Sequence, residues 1–206
     1  MAIVTPTTEL EAVNIMLSMI GESPVNTLED DNVVDAAIAR NILSNTNREL
    51  QSIGWNFNTE IGYPILKDNE GKFPVPSNTA RIDTVNTVDS SSATDYDLVL
   101  RGKYLYDRKN HTYSPDTTKV TVDIVVMLAF EDLPETARRY ITLKSGRMFG
   151  ERHLGAVVTD TSQRDEALAY AALKNDEVWT GDYNMIKDDI TPLNIVRRFG
   201  FDRGVY

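Results

Sequence analysis

Residues 119–141 read KVTVDIVVMLAFEDLPETARRYI, and the spacing of apolar residues changes partway along this stretch. Val120, Val122, Ile124 and Val126 alternate with Thr121 and Asp123, which predicts a strand over 119–128 with one face buried. From Asp132 the repeat is helical. Asp132 and Glu135 form a capping pair, Pro134 suits a first turn, and Ala137, Ile141 and Met148 carry an apolar side towards residue 152.

Upstream of this junction, strand and turn signals reach back to Trp55. WNFNTEIGYPIL (55–66) interleaves large apolar with polar residues, and Pro64, Gly71, Pro74 and Pro76 punctuate the chain from there on. DLVLRGKYLYDR (97–108) predicts a hairpin turning at Arg101, Gly102 and Lys103, where glycine accepts a positive φ. VDSSSATD (88–95) has no apolar period and reads as a surface loop. Before Trp55 the signals are helical. Thr8 and Glu11 make a capping box for a helix over 8–20, with Leu10, Val13, Met16, Leu17 and Ile20 on one side and Gly21 as the stop. A second helix spans about 32–53, with Val34, Ile38, Ile42 and Leu50 near helical spacing and Gly54 at its end.

A last helix is expected over 162–179, started by Ser162 and Asp165, with Leu168, Ala171, Ala172 and Trp179 inward and Gly181 beyond its end. The expected fold class is therefore α+β, a bundle of four helices with an inserted antiparallel β region and an extended C-terminal tail. Its divisions are an N-terminal helical hairpin (1–54), a β insert (55–130), C-terminal helices that complete the bundle (131–181) and a tail or arm (182–206).

In the tail, Ile190, Leu193, Ile195, Val196, Phe199, Phe201, Val205 and Tyr206 are too many apolar groups to leave in water, yet Pro192, Gly200 and Gly204 interrupt any long helix. Arg197, Arg198 and Arg203 outnumber Asp202 there, and could steer the segment towards an acidic neighbour. The expected partner interface is Ile190, Leu193, Ile195, Val196, Arg197, Arg198, Phe199, Phe201, Arg203 and Tyr206. The competing expectation is that this segment folds back on its own subunit.

Composition excludes several chemistries. The chain has no cysteine, which removes disulfides, thiolate metal sites and cysteine nucleophiles, and its two histidines, His111 and His153, are too few for a multi-histidine metal site within one chain. A net charge of −10 disfavours tight non-specific binding to nucleic acid. Neither a long apolar span nor a signal peptide is visible, so no membrane anchor is expected and the chain should start in a cytoplasm.

Catalytic motifs are likewise missing from the sequence. There is no G-x-S-x-G elbow and no glycine-rich phosphate loop, and DDNVVD lacks the glycine and distant glutamate of a calcium loop. No cofactor is expected. The adjacent acids Asp30 and Asp31, Glu131 and Asp132, and Asp188 and Asp189 are better explained for the most part by helix capping than by glycosidic cleavage. Asn110, His111 and Thr112 match a glycosylation acceptor by chance. Arg138, Arg139, Lys144, Arg147 and Arg152 fan around their helix at about 100° per residue, which points to salt bridges and solvation rather than to a nucleic-acid stripe. Tyr104 and Tyr106 share a strand face suited to sheet packing and also to an interface anchor, with packing the favoured reading.

AVNIMLSMIGESPVNTLE (12–29), ARNILSNTNRELQSIGWNFNTE (39–60), YLYDR (104–108), LPETARRYITLKSGRMFGERHLG (133–155) and DEALAYAALKNDEVWTGDYNM (165–185) together resemble the tail tubular protein A family, the adaptor or gatekeeper proteins of short-tailed phages. The resemblance covers most of residues 10–187, is general over 61–95 and does not reach the tail. It implies a homo-oligomeric ring of twelve copies in the virion, between the portal protein and the tail nozzle (tail tubular protein B). Such a ring surrounds the DNA and helps attach the tail fibres. Two other readings compete: a tail enzyme that degrades host polysaccharide with acids of the β insert, and a soluble assembly factor absent from the finished particle.

Overall fold

The computed structural model describes residues 5–29, 34–84, 96–155 and 160–188. In chain order the elements are α1 (Glu9–Met19), α2 (Val34–Gln51), β1 (Thr59–Leu66), β2 (Thr79–Thr84), β3 (Leu98–Arg101), β4 (Tyr104–Asp107), β5 (Lys119–Val126), α3 (Glu135–Leu154) and α4 (Asp160–Asp188). Short 3₁₀ turns at Asn56–Asn58 and Phe130–Asp132 join the helical and β parts. The class is α+β, as the change of period at residue 130 predicts.

Thr8 caps α1 as expected: its side chain accepts from the Glu11 amide while the Glu11 carboxylate accepts from the Thr8 amide. Val13, Met16 and Leu17 are buried. In α2 the expected inward row splits, because Ile42 and Leu50 are buried whereas Val34 and Ile38 are exposed. Ala36, Ala39 and Leu43 take the inner face instead, which turns Val34 and Ile38 outward. One cluster of buried side chains draws on α1, α2, α3 and α4, with α3 packed against each of the other three.

The β part has a separate core. The sheet order is β1-β5-β2, all antiparallel, so the alternating strand lies in the centre with Val120, Val122, Ile124 and Val126 buried. The 97–108 hairpin forms as β3 and β4, with Gly102 at φ 66° in the turn. Asp107 closes this hairpin: its carboxylate accepts from the Asn110 side chain and from the amides of Asp97 and Lys109. Burial pushes that carboxyl up, but these hydrogen bonds outweigh it and hold the group below the usual carboxylate range. Tyr106 packs edge-on to Tyr113 under the Arg101 guanidinium, so the Tyr104 and Tyr106 face is a packing surface. The 88–95 loop lies outside the described residues.

Two helix boundaries differ from expectation. α3 starts after Pro134 with no side-chain cap. Asp132 and Glu135 therefore do not form the expected pair. The Glu135 carboxylate is drawn to the Thr7 amide and hydroxyl, and Glu131 accepts from the Glu9 amide, so the acids at the start of α3 serve the N-terminus of α1. α4 runs through Gly181 to Asp188, because an interior glycine costs only about 1 kcal/mol relative to alanine and does not by itself end a helix.

Candidate interaction surfaces

Most polar side chains that chemistry might use are committed to structure. Arg138 is buried, and its guanidinium donates to the carbonyls of Leu133, Thr7 and Glu131. Lys144 pairs with Glu49, and Arg147 is held between Glu166 and Glu151. Those two carboxylates raise the Arg147 pKa despite partial burial. The basic residues of α3 are thus dispersed, as their spacing predicts. His153 lies 3.6 Å from Asp35, while His111 sits in a turn at φ 53°. The Asn110 side chain donates to Asp107 at 2.6 Å.

Several acids of the β insert are similarly engaged. Asp68 accepts from the amides of Glu70 and Lys72, Asp97 pairs with Arg108, and Asp123 accepts from the Gly62 amide. Of the adjacent acids, Asp30, Asp31 and Asp189 lie outside the described residues. Among the described residues no group of three or more His, Asp or Glu is placed to hold a metal ion. No described helix is long and apolar enough to cross a membrane.

Exposed large apolar side chains occur on α1 (Ile15, Met19), α2 (Val34, Ile38), β1 (Ile61, Leu66) and α4 (Leu168, Val178, Trp179). On α4 the inward residues are Ala169 and Leu173, with Tyr170 half-buried against Trp55 and Tyr140. Leu168, Ala171, Ala172 and Trp179, expected inward, face solvent; Leu168 is 63% exposed and Trp179 79% exposed. The physical reason is that α4 carries apolar residues on two sides, and the side with the tyrosine takes the core. On α2, Val34 is 67% exposed and Ile38 41%.

A groove runs over α3 between α1 and α4. Glu135 and Arg139 line both of its two cavities. One, of about 230 Å³, is lined on the α4 side by Asp165, Leu168 and Ala172. The other, of about 60 Å³, is lined on the α1 side by Thr7 and Ile15, with Leu143 of α3. The ten expected interface residues, Ile190 to Tyr206, all lie outside the described residues.

A sequence model of tail tubular proteins matches residues 10–183, which takes in every element up to most of α4. The chain belongs to the tail tubular protein family. It is 32% identical over 133 residues to tail tubular protein A of Klebsiella phage KP34, an alignment that covers 65% of this chain and 66% of that relative. As a tail tubular protein it has a structural place in a phage tail.

Within this tail tubular protein, the stretches that carry the family resemblance are joints. In IGESPV (20–25) Gly21 takes φ 83°, and Asn14 exchanges two hydrogen bonds with the Val25 backbone, pinning the loop to α1. In QSIGWNFN (51–58) Gln51 bonds both backbone groups of Leu128, and Asn58 donates to the carbonyls of Gln51 and Val126. The indole of Trp55 donates to the Leu50 carbonyl. Both motifs fix one element against another.

Proposed function

We propose that the chain is a non-enzymatic head-to-tail adaptor, one of twelve subunits of a closed ring between the portal protein and the tail nozzle (tail tubular protein B). The ring surrounds the DNA channel, helps attach the tail fibres and serves DNA retention and ejection; the chain occupies the head-tail junction of the virion after a period in the host cytoplasm. The family match over residues 10–183 carries this reading. The exposed apolar rows of α2 and α4 support it, since such rows are covered in assemblies. A ring closes by head-to-tail contacts between identical copies.

The channel wall is acidic or neutral. Residues 1–54 hold eight acids against Arg40 and Arg48, so phosphate is repelled and DNA slides. The assembled ring is expected to bind duplex DNA weakly; submicromolar, steeply salt-dependent binding contradicts this wall.

Residues 188–206 act as an arm that orders on a neighbouring subunit or on the portal. Its apolar and basic composition supports this role, and ordering on a partner exchanges chain entropy for buried area. Deleting residues 190–206 is expected to leave the melting temperature of the subunit nearly unchanged while impairing ring or head attachment. A truncation that unfolds the subunit, or one that assembles normally, removes the arm from the proposal.

A further inference from the structure

The helix α4 is bound to the rest of the chain in two different ways. As far as Leu173 it is packed: Ala169 and Leu173 are buried, and Tyr170 lies against Trp55 and Tyr140. Past Leu173 the described side chains bury no apolar group, and Val178 and Trp179 are exposed. The helix nevertheless continues to Asp188. Its described contacts there are polar. Thr136, in the first turn of α3, donates to the Asp176 carboxylate at 2.8 Å. The Asn56 amide donates to the Glu177 carboxylate at 2.8 Å, and the Asn56 side chain donates to the Glu177 backbone carbonyl at 3.2 Å.

We infer that Asn56 and Glu177 form a latch that fixes the direction in which the distal end of α4 leaves the subunit. The latch stands on its own contacts, whereas its effect on attachment rests on the arm proposed above, which continues the chain from α4. Asn56 opens the 3₁₀ turn after Trp55, so its N–H has no partner within that turn and finds one on α4. The turn is itself fixed, because Asn58 donates to the carbonyls of Gln51 and Val126 and the Trp55 indole donates to the Leu50 carbonyl. The latch therefore ties α4 to the point where the helical and β parts meet. Gly181, one turn beyond Glu177, is the weakest helix former in α4. Held at Glu177, the helix enters that turn already aligned.

The latch is balanced between two opposing effects. Burial pushes the Glu177 carboxyl up and the neighbouring Asp176 charge adds to this, while the hydrogen bond from Asn56 pulls it down. A raised carboxyl pKa means that the ionised form is disfavoured where it sits, so a swing of α4 that exposes Glu177 relieves its charge. Charge works towards opening and the hydrogen bonds work towards closing. Glu177→Gln removes the first and keeps the second, since an amide oxygen still accepts from Asn56.

Hydrogen exchange of the purified full-length chain, read by mass spectrometry, compares the parent with Asn56→Ala, Glu177→Ala and Glu177→Gln. Both alanine variants are expected to speed exchange of the amides in residues 178–188 about tenfold and to leave those of 135–173 unchanged. Helix propensity alone predicts the opposite for Glu177→Ala, because alanine is the better helix former. The glutamine variant is expected to exchange no faster than the parent. Parent-like exchange in the alanine variants overturns the latch, as does equal acceleration along the whole of α3 and α4, or a glutamine variant as fast as the alanine one. Phage carrying Glu177→Ala are expected to lose infectious particles as phage lacking residues 190–206 do. Faster exchange with a normal yield, where the deletion lowers it, overturns the tie to the arm and leaves the latch standing; a deletion without effect overturns the arm alone.

Discussion

Replacing Arg138 by leucine is expected to destabilise the subunit by about 3–4 kcal/mol. The guanidinium is buried, and its three carbonyl acceptors come from three places: Thr7 ahead of α1, Glu131 in the 3₁₀ turn and Leu133 ahead of α3. Leucine fills part of the volume but donates nothing, so these carbonyls lose their donor where water does not easily replace it. Arg138→Lys keeps the charge and loses the fork, and should cost less, about 2 kcal/mol, because a compact ammonium does not reach all three acceptors that the planar guanidinium spans. Urea unfolding of the two variants measures both numbers. Equal stability of leucine variant and parent would mean that the N-terminal segment is not held by this residue.

The second large effect is expected at Gln51. Its amide donates to Asn47 and to the Leu128 carbonyl and accepts from the Leu128 amide, so it ties the end of α2 to the chain leaving β5. Leu128 is the residue that packs against both the helical core and the sheet core. Gln51→Leu leaves both backbone groups of Leu128 without this partner and should cost about 2–3 kcal/mol. Asn58 donates to the backbone carbonyl of Gln51, which Gln51→Leu keeps, so the two side chains hold the same junction through separate hydrogen bonds. A double-mutant cycle with Asn58→Ala is expected to be additive to within about 0.5 kcal/mol, whereas a larger coupling would mean that the two side chains act as one joint.

Local signals were legible where one residue type has one physical use. The Thr8 and Glu11 box, the Gly102 turn and the alternation of 119–126 all form as spacing dictates. Signals that depend on a distant partner were not. Glu135 looks like a cap for its own helix, and only the return of Thr7 to its side shows that it serves α1. Arg138 reads as one of five surface bases until three carbonyls converge on it. In α4 the apolar residues occupy two sides, and periodicity favoured Leu168 and Trp179 because it undervalues Tyr170, whose ring takes the core. The same property of α2 and α4 leaves Val34, Ile38, Leu168 and Trp179 exposed. The proposed C-terminal arm lies outside the described residues.

Cryo-electron microscopy of purified phage tails tests the ring most directly. The prediction is a closed ring of copies of this chain on the central axis, between the portal and the nozzle, with the helices of neighbouring copies in contact. Density for the chain as isolated copies away from that axis would contradict it.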